Sequence, residues 1–148
     1  MSEKDTAIKL ALYRGIADTG EMPDAAKVAE LSGFSQMEVQ QAFHQLQAQR
    51  LLVLEPGDSR RIRMAPPFSG IPTAFPVHAR GRRYYANCVW DAFGVAAALH
   101  ADAIIGSVDG FSGEPLQLEV RGGQPVRQPY VAHFAVPAAK WWENIVFT

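Results

Sequence analysis

Cysteine is the scarcest reactive residue of this 148-residue chain, which holds one, Cys88. A single thiol excludes an internal disulfide framework and suits a reducing compartment. A surplus of one charge is also missing: 14 Lys and Arg face 15 Asp and Glu, a net charge of −1. That balance argues against a protein whose main work is wrapping nucleic acid. No apolar run is long enough to span a bilayer, since residues 87–99, the longest low-charge stretch, are interrupted by Asp91. The start, Met1-Ser2-Glu3-Lys4-Asp5, is polar and lacks the apolar core of a signal peptide. Internal repeats and low-complexity tracts are absent too. What is there is a globular composition, 48% hydrophobic and 20% charged, and the expectation is a cytoplasmic protein with no membrane partner.

The first 64 residues have a helical rhythm. Ile8, Leu12 and Ile16 recur at helical spacing from about Asp5 to Ala17, until Gly20 and Pro23 break it. Asp24 can cap a short helix through Val28, Ala29 and Leu31, which Gly33 stops. Ser35 with Glu38 three residues on reads as a capping box, opening a helix with Met37, Val39, Ala42, Phe43 and Leu46 as its apolar positions. Leu51-Leu52-Val53-Leu54 reads as a strand, Glu55-Pro56-Gly57-Asp58 as a turn and Ile62-Arg63-Met64 as the returning strand. Three helices and a hairpin form a winged-helix pattern, so residues 1–64 are expected to be a winged-helix-like module.

Residues 65–77 hold Pro66, Pro67, Pro72 and Pro76 with Gly70, the composition of an extended crossing segment. Residues 78–148 then predict a mixed α/β domain with an antiparallel sheet. A helix runs from Cys88 to about His100, and a strand from Ala103 to Val108. Asp109-Gly110-Phe111-Ser112-Gly113 is a turn, and Leu116 to Val120 alternates as the antiparallel partner. Gly122-Gly123 marks another turn, Val131 to Val136 a further strand, and Pro137 the start of a short helix through Trp141-Trp142. The run Ile145-Val146-Phe147-Thr148 has strand composition. The fold class expected is α+β.

Several motifs have competing readings. The helix from Ser35 to Arg50 could dock DNA, with Arg60, Arg61 and Arg63 on the wing, but its own face offers one cation, at its end. Phosphate contacts supply most DNA affinity, so a packing role is the better expectation. Arg80, Arg82 and Arg83 with Tyr84 and Tyr85 read as a solvated edge leading into the core rather than as a nucleic-acid patch. His78, His100 and His133 do not fall at metal-ligand spacing, and no second cysteine joins them. Trp141 and Trp142 read as packing residues.

Cys88 is the feature with the most chemistry in it. A buried free cysteine is often a small hydrophobe, but this one sits at the start of a helix, where unpaired N–H groups favour the thiolate. Asp91, three residues on, projects from the same face. The carboxylate raises the thiol's proton affinity against the helix end, so the two are expected to share one proton as a coupled pair. Such a pair can hold a soft metal and manage a proton.

The run Tyr85-Ala86-Asn87-Cys88-Val89-Trp90-Asp91-Ala92 resembles the catalytic segment of the organomercurial (alkylmercury) lyases, in which a cysteine and an aspartate three residues later open a helix. The resemblance extends over most of the chain, through the Pro-rich crossing, the Ser112-Gly113-Glu114-Pro115 turn, and His133-Phe134-Ala135-Val136-Pro137-Ala138 leading to Trp141-Trp142. It implies an enzyme that splits carbon–mercury bonds by protonolysis, releasing a hydrocarbon and leaving mercuric ion. Cys88 would capture mercury, a soft ligand for a soft metal, and Asp91 would donate the proton and help hold the metal. No resident cofactor is implied; mercury is substrate and product. The partners implied are the organomercurial itself and, as acceptors of the product, cytosolic thiols or a mercuric reductase.

Two departures accompany the resemblance. The family uses a second cysteine, expected where Ile145-Val146-Phe147-Thr148 stands, and this sequence has none; at Asp109-Gly110 many relatives carry a structural cysteine. The sequence therefore reads as truncated relative to a working lyase, by an early gene end or by a stop codon after Thr148 that some organisms read as selenocysteine. The alternatives are a mercury-binding pseudoenzyme and a winged-helix transcription regulator with a ligand-sensing second domain.

Overall fold

The computed structural model describes residues 1–146. Three helices come first: α1 (Glu3–Thr19), α2 (Ala25–Ser32) and α3 (Gln36–Ala48). Their boundaries follow from capping chemistry. Ser2 with Asp5, and Ser35 with Glu38, each form a complete capping box, and the Asp24 carboxylate accepts from the Lys27 N–H. Gly20 and Gly33 end α1 and α2 in the left-handed conformation, at φ 80° and 77°. Ile8, Leu12 and Ile16 of α1 are buried against Val28 of α2 and Val39, Phe43 and Leu46 of α3. Met37, expected among the apolar positions of α3, is instead 70% exposed: it lies in the first turn, off the stripe that Val39, Phe43 and Leu46 define.

A three-stranded antiparallel sheet follows, in the order β1 (Val53–Glu55), β2 (Asp58–Ala65) and β3 (Phe68–Ser69). The crossing segment thus contributes a strand of its own. A second sheet has the order β5-β4-β6-β7-β8, built from β4 (Pro76–Ala79), β5 (Arg82–Tyr85), β6 (Ala103–Val108), β7 (Pro115–Arg121) and β8 (Gln124–Pro125), all antiparallel. The β4–β5 hairpin turns through Arg80 and Gly81, both at positive φ, so the basic cluster is a hairpin whose Tyr84 is fully buried. α4 (Val89–Leu99) covers the inner face of this sheet with Ala92, Val95, Ala96 and Leu99.

One continuous hydrophobic cluster joins the helices to both sheets. Its centre is Phe68, whose ring lies 6.2 Å from Tyr13 of α1 and 5.7 Å from Tyr84 of β5. The Tyr84 hydroxyl donates to the Ala17 carbonyl at 2.7 Å, and a bridge between Phe68 and Ala86 brings the two sheets together. The architecture is α+β: N-terminal helices followed by antiparallel sheets. Among the described residues no helix is long and apolar enough to cross a membrane.

Two expectations are corrected near the C-terminus. Residues 131–136 form no strand. Their alternating apolar residues do not cover a sheet: Val131 is 92% exposed, and Phe134 turns to Trp141 at 5.4 Å. The short helix after Pro137 is present as a 3-10 turn, Ala138–Glu143. Ile145 and Val146 lie in a turn rather than a strand; Phe147 and Thr148 fall outside the described residues.

Candidate active site

Cys88 is the N-cap of α4, with extended backbone (φ −151°, ψ −179°), and Asp91 sits in the first turn. The strand–helix junction fixes this placement: β5 ends at Tyr85, Ala86 is buried and bridged to Phe68, and α4 starts three residues later. Both side chains line a cavity of about 280 Å³. Its polar wall adds Asn87, Arg63, Ser69 and Thr73, and its apolar wall comes from Met64 and Ile71 on one side and Phe134, Trp141, Trp142 and Ile145 on the other. Larger grooves of about 800 Å³ between α1 and α2, and about 700 Å³ at the β4–β5 turn end of the second sheet, contain no thiol. The chemistry, not the volume, identifies the smaller cavity as the site.

Burial dominates the electrostatics here. It pushes the Cys88 thiol above its ordinary value, the Asp91 charge adds to the rise, and the N–H groups of Asp91 and Trp90 oppose it. The helix-start N–H groups and the Asp91 charge thus act on the thiol in opposite directions, and burial is the largest of the effects. Asp91 is raised by burial as well, against a hydrogen bond donated by Asn87 Nδ2 to Asp91 Oδ2 at 2.9 Å. Tyr13, packed behind the site, is pushed up to about 12 by burial and by the Asp91 charge, and its hydroxyl donates to the Pro66 carbonyl at 2.9 Å. A thiol and a carboxylate whose proton affinities are both raised by burial stand on one helical turn. Together they can bind a soft electrophile through sulfur and retain a proton beside it.

Of the residues the sequence singled out, Cys88 and Asp91 are brought together, and Trp141 and Trp142, read as packing, form part of the cavity wall. Arg63, considered as a wing cation, points its guanidinium at Glu55 (3.5 Å) and lines the cavity, with Nε buried and lacking a hydrogen-bond partner. Arg60 is held by Asp58 at 2.9 Å. Among the described residues no group of three or more His, Cys, Asp or Glu could hold a metal ion. Sequence reasoning missed Asn87 and Tyr13. Asn87 at four residues before Asp91 on a helix start was a readable signal; Tyr13, distant in sequence, left none.

No curated protein matches the chain. Among solved structures, the crystal structure of the mercury-bound form of MerB2 superposes with a TM-score of 0.60 at 24% identity, covering 86% of this chain and 67% of that one. The likeness is one of fold. The alkylmercury lyase family matches residues 68–148, just over half the sequence and all of the Cys88–Asp91 turn, and the chain belongs to that family.

Proposed function

We propose that this organomercurial-lyase-like protein cleaves carbon–mercury bonds by protonolysis. The observation that carries the reading is the pairing of Cys88 and Asp91 on one turn of α4, at the wall of a largely apolar cavity where burial raises both proton affinities. The organomercurial enters as a cation, R–Hg⁺. The Cys88 sulfur bonds to mercury and its proton moves to the Asp91 carboxylate. The Hg–C bond then breaks, its electron pair taking the proton from Asp91, so R–H leaves and mercuric ion remains on sulfur with the freed Asp91 carboxylate as second ligand. Phe134, Trp141 and Met64 surround the organic group and limit water, which strengthens the charge interaction between carboxyl and carbon. No resident cofactor takes part. Soluble thiols or a mercuric reductase then remove the product by exchange at the cysteine sulfur.

The test is benzene release from a phenylmercury salt by the purified chain in the presence of a small thiol. Release that is abolished in Cys88→Ser and reduced by about 10²–10⁴-fold in Asp91→Asn supports the reading. Undiminished release in Cys88→Ser sinks it. A second reading, mercury capture without turnover, is favoured by the single sulfur of Cys88 in the cavity; capture of one equivalent with no benzene would establish it.

A further inference from the structure

Asn87 supplies neither sulfur nor proton, yet its side chain is held at several points. Its amide nitrogen faces three oxygens: Asp91 Oδ2 at 2.9 Å, the Phe68 carbonyl at 3.4 Å and the Pro67 carbonyl at 3.5 Å. A primary amide has two N–H groups. The short contact uses one, and the two main-chain carbonyls share the other. This surrounding decides the amide's orientation, because the reversed amide would set Oδ1 against three acceptors with no hydrogen between them. The orientation adopted leaves Oδ1 buried with no hydrogen-bond partner. A buried polar atom in that state is unfavourable, and the fold tolerates it while directing an N–H at Asp91.

Among the described residues no cation pairs with Asp91, and the Tyr13 hydroxyl is engaged by the Pro66 carbonyl. A carboxyl oxygen that accepts an N–H is the poorer place for a proton, so the acid hydrogen belongs on the other oxygen. We propose that Asn87 is a positioning residue: anchored on the Pro67 and Phe68 carbonyls, it pins Asp91 through Oδ2 and leaves Oδ1 as the oxygen that carries and delivers the proton. What the proton is for rests on the lyase reading; the pinning itself does not. Through these carbonyls, β3 and the Pro66–Pro67 segment help set the geometry of the acid.

Three measurements on Asn87→Leu test this, with Asn87→Ser replacing it if the leucine variant does not fold. They are one-equivalent capture of phenylmercury by mass, single-turnover benzene release from the captured protein, and the Asp91 side-chain carboxyl ¹³C resonance, assigned by its loss in Asp91→Asn. The expected result is capture as in the unsubstituted protein, release about 10–100-fold slower, and a displaced Asp91 resonance. Release at the unsubstituted rate, an unmoved resonance, or a parallel fall in capture and release would each overturn the proposal. If the unsubstituted chain captures mercury and releases nothing, the lyase reading fails, and the carboxyl resonance alone decides the positioning.

Discussion

The scaffold up to residue 125 and the segment 126–146 are built on different principles. Among the described residues every buried hydrophobic lies between Ile8 and Val120, most of them in capped helices and paired strands. The later segment has one 3-10 turn, and none of its described residues is buried. Among its contacts with the scaffold are the Val126 N–H donating to the Glu119 carbonyl at 2.9 Å, Gln128 Nε2 donating to the Gln117 carbonyl at 3.1 Å, and the Arg50 guanidinium 5.9 Å above the Trp142 ring. Yet the segment supplies Phe134, Trp141, Trp142, Ile145 and Val146, five of the fourteen residues that line the cavity. The thiol and the acid stand on the cooperative part, and part of the surface facing them belongs to a segment without buried residues, which is expected to open locally at lower free energy than the core. This division keeps the reacting groups registered while the cavity can still be entered.

Substitutions can break or sharpen that contrast. Phe43→Ala, in the centre of the helical core, is expected to cost about 3–5 kcal/mol of stability by denaturant unfolding. Ser35→Ala removes a capping box and costs about 1 kcal/mol. Trp142→Ala, on the later segment, should cost less than about 1 kcal/mol and raise the rate of Cys88 alkylation several-fold. A Trp142 variant that unfolds as readily as Phe43→Ala would erase the distinction.

The smallest effect concerns the site itself. Folding raises the Asp91 proton affinity, so the stability this group contributes is present below its unfolded value near 3.8 and lost as pH rises through the folded value. Asp91→Asn, which cannot ionise, should therefore melt slightly higher than the unsubstituted protein at neutral pH, with the gap closing in acid. A variant that melts lower at neutral pH would mean that the carboxylate stabilises the fold.

Local rules were readable wherever one residue type decides the outcome. Ser35 with Glu38, Asp24, Gly20 and Gly33 marked helix ends, and Asp109 to Gly113 marked the turn that pairs β6 with β7. The β4–β5 hairpin was hidden because its turn uses Arg80-Gly81, an arginine held at φ 50° where asparagine or aspartate would have signalled it. Residues 131–136 misled in the other direction. Their alternation of apolar residues carries no buried face: Val131 is exposed, and Phe134 alone of the six lines the cavity. In the site, Cys88 and Asp91 were visible by spacing along one turn. Arg63 and Tyr13 reach it through tertiary packing, which spacing does not encode.

The aromatic contact of Phe68 with Tyr13 and Tyr84 sets inheritance apart from folding. Kinship to the lyases is written in residues 68–148, but the first of those residues is a phenylalanine sealed by a tyrosine from α1, and Tyr84 anchors its hydroxyl on Ala17. Cut at the boundary that ancestry marks, the piece would bare its own keystone to water. The N-terminal helices thus act less as an appended module than as one wall of a vault whose other walls carry the family signature.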